Sequence, residues 1–446
     1  IAHGYEHAEE WCQFEPGTYF AGAPDPDPTT DGDGDGIPDN DRVSFGQGAV
    51  IQPVNGEFDT NELFAELTVP LIGPDQNIPF IHSFELTGAF RYINHSLAGG
   101  DETYTIGGSW QPIRDITFRG NYTRSVRSPA ITEYFNPLST TFLTANDPCD
   151  ARFINGGPDP ATRQANCAAA GLPPDFESSI VDFTSVGTLA GNPNLANEKA
   201  DAWTVGVVLR PPFLTGFTLA VDWVDIELED AVVQLQPEDL LEACYDSPDF
   251  PNVISASGTN LCEAVPRDAN GQVTTFAAGF ENAASLKFEG LIAELAWRIA
   301  TPFLGETSSL TLGVNYLYNH ELEQRVGLGD VLTLDTSIGY SEHQGTANVT
   351  YKNEGLAWQW QFQYIGEAFN DPDLGENAFD VPKVDDVLFV NSSLSYDIND
   401  RFRVSLIVDN VFDTKQPFPV PGNGGTVTYF DGIRGRYFRA GARMKF

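Results

Sequence analysis

Residues 356–364 read Leu-Ala-Trp-Gln-Trp-Gln-Phe-Gln-Tyr, in which apolar and polar residues alternate strictly. On a β-strand, this alternation puts three glutamines on one face and four aromatic side chains on the other. The four aromatic residues are Trp358, Trp360, Phe362 and Tyr364. Such an aromatic face is buried in the core of a soluble sheet, or it meets lipid in an outer-membrane β-barrel whose polar face lines a wet lumen. The alternation therefore restricts this part of the chain to a sheet with two chemically opposite faces.

Thirteen segments of the 446-residue chain alternate in this way, and each predicts a strand. They are 63–72, 82–96, 102–111, 116–128, 200–210, 216–230, 284–300, 308–323, 344–352, 356–368, 387–397, 402–412 and 435–446. Short connections such as 112–115 and 352–355 alternate with long ones such as 129–199 and 231–283. An outer-membrane barrel distributes its periplasmic turns and extracellular loops in this manner. The predicted fold class is therefore all-β, an antiparallel transmembrane β-barrel.

The last of these segments alternates three cations with apolar residues. A cation in lipid near the bilayer midplane costs about 2–4 kcal/mol, so we expect these side chains to face the lumen. The cations predicted to face the lumen are Arg91, Arg119, Arg403, Arg439, Arg443 and Lys445. They are either the ordinary charges of a wet face or part of a wall against which another domain rests.

The strand pattern divides the chain at about residue 62. Residues 1–62 are rich in Pro, Gly and Asp, show little alternation, and predict an extracellular acidic segment. Residues 63–446 predict barrel strands, counted back from a periplasmic C-terminus. An open sheet of thirteen strands would have two unpaired edges, which cannot face hydrocarbon. We therefore expect further strands from outside this chain, which starts at Ile1 rather than at a methionine.

The formal net charge is −39, from 63 acidic and 24 basic residues. This charge disfavours nucleic acid as a partner, because phosphate binding needs the opposite sign. The acidic residues concentrate in loop-like stretches such as 25–41 and 371–386, where they either keep the surface soluble or attract cations. Enzyme motifs such as the nucleophile elbow and the phosphate-binding loop are missing from the sequence, so we expect no catalytic activity.

Five cysteines form two pairs of equal spacing with one left over. Cys149 and Cys167 are eighteen residues apart, and so are Cys244 and Cys262. Both pairs lie in long Gly/Pro-rich connections, so we expect two local disulfides in an oxidising compartment, with four reduced thiols as the alternative. Cys12 is then either free or paired with a partner outside this chain.

Residues 31–41 read Asp-Gly-Asp-Gly-Asp-Gly-Ile-Pro-Asp-Asn-Asp, which matches the first part of a calcium loop. The expected ligands of a structural Ca²⁺ are four carboxylates and one backbone carbonyl, from Asp31, Asp33, Asp35, Asp39 and Ile37. Position 12 of the loop is Arg42 rather than a bidentate Glu, so a solvated acidic loop is the alternative. His3 and His7 are a weaker metal hypothesis, because Gly4 disfavours the helix that would align them.

Four motifs in order resemble those of TonB-dependent outer-membrane receptors, and the resemblance extends from about Leu63 onward. They are Trp110-Gln-Pro112 followed by Phe118-Arg-Gly-Asn-Tyr122 through Glu133-Tyr-Phe135; Gly191-Asn-Pro193-Asn-Leu195-Ala-Asn-Glu198; Asp409-Asn-Val-Phe412-Asp413; and the closing Gly435-Arg-Tyr…Phe446.

The resemblance implies a barrel of about twenty-two strands plugged by an N-terminal domain, of which this chain supplies thirteen. A companion would supply about nine strands, the plug and the motif that contacts the TonB complex. Cys12 is the candidate disulfide link to that companion. The implied function is TonB-dependent import of a scarce nutrient across the bacterial outer membrane, in contact with its lipid. The cysteine-containing loops favour a glycan over an iron chelate or a corrinoid, and the rival hypothesis is a surface-binding or structural barrel with calcium-ordered loops.

Overall fold

The computed structural model describes residues 1–17, 52–255, 257–327, 331–373, 381–415 and 435–445. Most of these residues lie in strands: β1 Ala2–Phe14, β2 Val54–Ile72, β3 Ser83–His95, β4 Gly99–Ile113, β5 Ile116–Arg127, β6 Ser139–Leu143, β7 Ser185–Ala190, β8 Glu198–Leu209, β9 Phe217–Leu235, β10 Phe276–Ala300, β11 Ser309–Val326, β12 Val331–Thr333, β13 His343–Asn353, β14 Leu356–Ile365, β15 Ala368–Phe369, β16 Lys383–Val384, β17 Val387–Asn399, β18 Phe402–Asp409 and β19 Tyr437–Met444. The helices are α1 Ile131–Phe135, α2 Pro160–Ala169, α3 Ser179–Asp182 and α4 Pro237–Tyr245, with 3-10 turns at Pro74–Gln76 and Pro302–Leu304. Within these ranges, no helix is long and apolar enough to cross a membrane.

The long strands form one antiparallel meander in which each pairs with the next long strand along the chain. The order is β1, β2, β3, β4, β5, β8, β9, β10, β11, β13, β14, β17, β18, β19. Among the residues that the structure describes, no pairing register joins β1 to β19. Both strands therefore present an edge, which needs a further strand before the sheet can close.

The thirteen predicted segments each overlap one strand of this meander, but strands also lie at both ends of segment 1–62, where the sequence predicted none. β1 covers Ala2–Phe14 and pairs with β2, which begins at Val54 rather than near residue 63. The alternation is hard to recognise here because one face of β1 mixes Tyr5 and Trp11 with the polar residues between them. The predicted count of thirteen strands omits β1.

The largest hydrophobic core lies in the long connections rather than within the meander. Residues 139–190 and 235–279, which we call the loop lobe, bury a cluster that includes Phe176, Ile180 and Leu241. Strand β7 joins this lobe to β10 through parallel pairing, with Gly187 opposite Phe276. A glycine is required there, because a Cβ would lie 2.3 Å from the Phe276 ring. The two connections predicted as loops therefore fold together as one packed body.

Candidate functional site

One face of the meander is polar along its whole width. The register places Gln361 opposite Asn348 on one side and opposite Asn391 on the other. Asn391 donates to Gln361 at 3.1 Å, and Gln359 donates to Asn348 at 3.0 Å. Since directly paired residues share a face, the registers also put the predicted lumen-facing arginines on this side. They are Arg91, Arg119, Arg403, Arg439 and Arg443.

Most arginines of this polar face are paired with carboxylates. Arg119 of β5 reaches across β8 and donates to both carboxylate oxygens of Asp222 in β9, at 2.7 and 2.5 Å. Gly206 of β8 lies between them, and a Cβ there would lie 2.0 Å from Asp222 Oδ1. Arg439 pairs with Asp409 at 2.7 Å. The polar face therefore carries several arginines, but carboxylates already neutralise most of their positive charge.

The opposite face is apolar and rich in aromatic rings. Trp110 stacks on Phe118 with a centroid distance of 5.4 Å, and Tyr122 lies 4.7 Å from Trp203. Ile106 and Val205 on this face are 67% and 62% exposed. An apolar surface of this breadth is unstable in water and suits a hydrocarbon environment flanked by aromatic residues.

Helix α1 folds back over one end of the polar face. Arg127, at the end of β5, donates to Glu133 of α1 at 3.0 and 3.2 Å and also pairs with Glu198 at the start of β8. Tyr134 is buried beside Phe58 in a small second cluster. An ion-pair network and apolar contacts therefore fix helix α1 at the end of the sheet where β5 ends and β8 begins.

Two buried ion pairs join the halves of the loop lobe. Arg163 of α2 donates to both carboxylate oxygens of Asp246 at 2.6 Å. Arg267 donates to both carboxylate oxygens of Asp147 at 2.7 and 2.8 Å, and its Nε donates to the Tyr245 hydroxyl at 2.7 Å. Each pair connects one long connection to the other, so the two behave as a single unit. Sequence reasoning missed these residues, although Asp147 and Asp246 each lie two positions from a predicted disulfide cysteine.

The structure contains both predicted disulfides, Cys149–Cys167 and Cys244–Cys262. They lie in the core of the loop lobe. Each closes a loop of eighteen residues, and a crosslink of this length restricts the unfolded chain.

Asp150 is a buried carboxylate beside the first disulfide. Hydrogen bonds from the Arg152 guanidinium, and then from the backbone N–H groups of Ser178 and Arg152, lower the pKa of Asp150 to about 2. Arg152 also donates to Asp182 at 3.1 Å. The carboxylate is therefore held ionised and ties residues 150–152 to residue 178 across the lobe.

A cavity of about 390 Å³ opens between the two halves of the loop lobe. Leu172 and Pro173 line it from one connection, and Tyr245, Phe250 and Pro266 line it from the other. Tyr245 and Phe250 lie 5.3 Å apart between ring centroids. Polar groups of residues 267–271 border the same space. A concave site of this size with aromatic walls and a few polar groups suits a small organic ligand.

The predicted calcium ligands Asp31, Asp33, Asp35, Ile37 and Asp39 lie outside the described residues, and so does the terminal Phe446. The calcium loop therefore stays a prediction. Within the ranges that the structure covers, no group of three or more His, Cys, Asp or Glu side chains is arranged to hold a metal.

His3 and His7 lie on the extended strand β1 rather than on a helix. Four residues of strand separate their Cα atoms by about 13 Å, so the two rings do not converge. Cys12 lies on the same strand, directly opposite Gly56 of β2. It is the one free cysteine among the described residues.

A family model described as "TonB dependent receptor-like, beta-barrel" matches residues 13–411. Among solved structures, a mutant of the ferric enterobactin receptor from Pseudomonas aeruginosa in complex with enterobactin is similar, with a TM-score of 0.58 and 14% identity. The siderophore receptor PirA from Acinetobacter baumannii is similar, with a TM-score of 0.57 and 14% identity. These alignments cover 100% of this chain and 51% and 52% of the other two chains, so this chain spans about half their length. No curated protein matches the chain significantly.

Proposed function

The chain belongs to the TonB-dependent receptor-like β-barrel family, and on this premise we propose that it takes part in energy-coupled import of a scarce nutrient. The family consists of outer-membrane transporters rather than enzymes. In this setting the aromatic face meets lipid, the polar face lines the lumen, and the loop lobe stands on the extracellular side. The observation that carries the proposal is one continuous sheet with an exposed apolar face and an amide- and arginine-lined face.

The remaining strands are proposed to come from a part of the receptor outside this chain. A plugged outer-membrane transporter has about twenty-two strands and the described meander has fourteen, so about eight are left, one fewer than the nine expected from the sequence. The free edges of β1 and β19 are the places where those strands would pair. The same part would carry the plug and the motif that contacts the TonB complex. A disulfide from Cys12 to it is a separate prediction.

For the ligand, we propose an iron chelate with little net negative charge. The two similar structures are a ferric enterobactin receptor and a siderophore receptor, which supports an iron chelate. Arg119, Arg403 and Arg439 are already paired with carboxylates, and the whole chain carries a net charge of −39. Both facts disfavour a strongly anionic ferric catecholate and favour a neutral ferric hydroxamate. The glycan that the sequence favoured has no support among the comparisons, and it serves as the competitor in the test.

The test measures binding of three probes to the purified complete receptor: a neutral ferric trihydroxamate, an anionic ferric tricatecholate and a neutral oligosaccharide. We expect the hydroxamate to bind at least tenfold more tightly than either of the others. Tighter binding of the catecholate would contradict the charge argument. Binding of the oligosaccharide alone would contradict the choice of an iron chelate.

The cavity in the loop lobe is proposed to contribute to the extracellular ligand vestibule. Phe250 lines this cavity, whereas Phe183 lies elsewhere on the lobe and is 72% exposed. We expect Phe250→Ala to weaken binding of the preferred chelate by roughly tenfold, equivalent to about 1.4 kcal/mol. The matched variant Phe183→Ala should leave the dissociation constant within about twofold of wild type. If both variants bound the chelate with equal affinity, the result would show that this cavity does not belong to the ligand vestibule.

A further inference from the structure

His95, the last residue of β3, is a buried titratable side chain between the sheet and helix α1. Only 1% of it is exposed. Its ring lies 4.4 Å from the Phe58 ring of β2 and 5.6 Å from the Tyr134 ring of α1, with the latter two rings stacked. Phe58 and Tyr134 are themselves buried. The imidazole therefore forms part of the contact that holds α1 against the sheet.

The hydrogen bonds of His95 fix the protonation state of its ring. Nδ1 accepts from the backbone N–H groups of Leu97 and Ala98, at 3.2 and 3.1 Å, and so holds the turn between β3 and β4. A ring nitrogen that accepts these bonds carries no proton, so the single proton of the neutral ring is on Nε2. Nε2 is buried, and no acceptor in the described part of the chain reaches it. The site therefore fits a neutral imidazole.

A second proton on the ring of His95 has to enter at Nδ1. That proton turns Nδ1 into a donor, so both hydrogen bonds to the turn are lost. It also places a positive charge among apolar rings, where a charge without a partner is costly. The carboxylates whose charge acts on the ring are those of Glu10 in β1 and Asp59 in β2, and neither forms a hydrogen bond with it in the described structure. Glu133 of α1 is paired with Arg127.

We propose that His95 is a proton-sensitive latch for helix α1, in which the neutral ring holds the helix against the sheet and protonation expels the ring and releases the helix. An ordinary histidine changes its charge near pH 6.5, so the release belongs to mildly acidic conditions. Helix α1 covers one end of the polar face, and its release uncovers that end. The latch adds a pH response to the receptor that does not depend on which ligand the receptor imports.

The first experiment is hydrogen exchange of the complete receptor at pH 7.5 and pH 5.5, corrected for intrinsic rates. Its readout is the protection of peptides that span residues 96–100 and 131–136. Since one proton changes a local equilibrium by at most about tenfold per pH unit, we expect protection of both segments to fall about fivefold at the lower pH. Equal protection of the wild-type segments at the two pH values would overturn the proposal.

The matched variants are His95→Asn and His82→Asn. The first removes the titrating ring but keeps a side-chain oxygen near the position of Nδ1, which can still accept from the turn. We expect its protection to differ by less than about twofold between the two pH values. His82 lies in the turn between β2 and β3, at the other end of the sheet, and its variant should respond to pH as wild type does. A full pH response in His95→Asn would refute the assignment of the latch to His95.

A third variant, Arg127→Gln, separates the latch from the ion pairs that also hold α1. Arg127 pairs with Glu133 and Glu198, and the variant loses both contacts while it keeps His95. We expect residues 131–136 to exchange faster at both pH values, and residues 96–100 to keep their pH response. If residues 96–100 lost that response, the proton would act on the ion pairs and the proposal would be wrong. The gel shift between the folded and the heated barrel shows whether each variant is folded.

Discussion

Gly206 leaves the space in which Arg119 and Asp222 pair across the lumenal wall. Its missing side chain is needed because a Cβ would lie 2.0 Å from Asp222 Oδ1 and 2.6 Å from Asp222 Cγ. Gly313 of β11 lies on the same polar face, yet a Cβ there would meet no atom within 4 Å. Alanine variants at the two positions therefore distinguish the effect of displacing the ion pair from the effect of adding a methyl group.

Gly206→Ala is expected to displace the Asp222 carboxylate and to destabilise the barrel by about 1–3 kcal/mol. Gly313→Ala should change the stability by less than about 0.5 kcal/mol. The measurement is the midpoint of thermal unfolding. It is monitored by the difference in gel mobility between the folded and the heat-unfolded barrel. Equal midpoints for the two variants would show that the Arg119–Asp222 pair does not depend on Gly206.

The lowered pKa of Asp150 predicts how the stability of the loop lobe depends on pH. The pKa of Asp150 is lowered to about 2 in the folded lobe, from an ordinary value of 3.8, chiefly by the Arg152 hydrogen bond. Its contribution is therefore fully present above the ordinary value and is lost as the pH falls from there through about 2. Because Arg152 is half-exposed, we expect this contribution to be about 1–2 kcal/mol.

Asp150→Asn should lower the protection of lobe amides at neutral pH and flatten its decline between about pH 4 and pH 2. Hydrogen exchange, corrected for intrinsic rates at each pH, measures both effects. The control is Asp182→Asn, which removes the other, exposed partner of Arg152. An unchanged pH profile in Asp150→Asn would refute the assignment.

Sequence alternation predicted side-chain orientation well and predicted tertiary pairing poorly. The period of two placed Arg119, Arg403 and Arg439 on the lumenal face, because that period follows directly from strand geometry. It could not supply the acidic partner of Arg119, since Asp222 is 103 residues away. The same limit applies to Asp147 and Arg267, which are 120 residues apart and lie in segments without any periodicity.

The loop lobe is an element with its own core, stabilised separately from the strands below it. Its apolar cluster includes three of the four disulfide cysteines, with Cys262 packed against it, and its ion pairs Arg163–Asp246 and Arg267–Asp147 are buried. The two long connections were predicted as loops because Gly, Pro and Asn are frequent in them. Their helices are short, α2 with ten residues being the longest, and helices of this length depend on the packing around them.

Replacing Cys244 and Cys262 with serine should destabilise the lobe by about 3 kcal/mol, the value for a closed loop of this length. We expect protease cleavage within residues 235–279 to accelerate while the gel shift of the barrel persists. Cys12→Ser is a separate comparison rather than a neutral control, because Cys12 is free within the described chain while its disulfide to a part outside this chain is a prediction. Loss of the folded barrel in the double variant would show that lobe and wall do not unfold separately.

At the level of the strands, the sequence predicted thirteen members of the meander and missed β1. The predicted segments succeeded where an apolar lipid-facing row alternates with polar lumenal residues, as in β14. Most residues of β1 pair with residues 54–62 of β2, a stretch in which neither face is uniformly apolar. A strand in which neither face is uniformly apolar therefore lacks the signal by which the others were recognised.

The described part of the molecule combines a sheet that has one apolar and one polar face with a loop lobe that has its own buried core. The wall derives its stability from backbone pairing and lipid contact, and its lumenal charges are largely paired. The lobe derives its stability from a buried core, two disulfides and buried ion pairs. In the proposed function, this division gives the receptor a packed vestibule and a polar lumen that can hold a plug and a ligand.

The central claim is energy-coupled import, and uptake of a labelled ferric hydroxamate by intact cells tests it most directly. Cells that carry the complete receptor are compared with and without a working TonB complex, with surface binding measured in parallel. We predict that binding is unchanged and that uptake falls to the level of receptor-free cells when TonB is missing. Uptake that persists without TonB would indicate a passive pore and contradict energy coupling. Binding without uptake in energised cells would indicate a surface-binding protein and contradict import altogether.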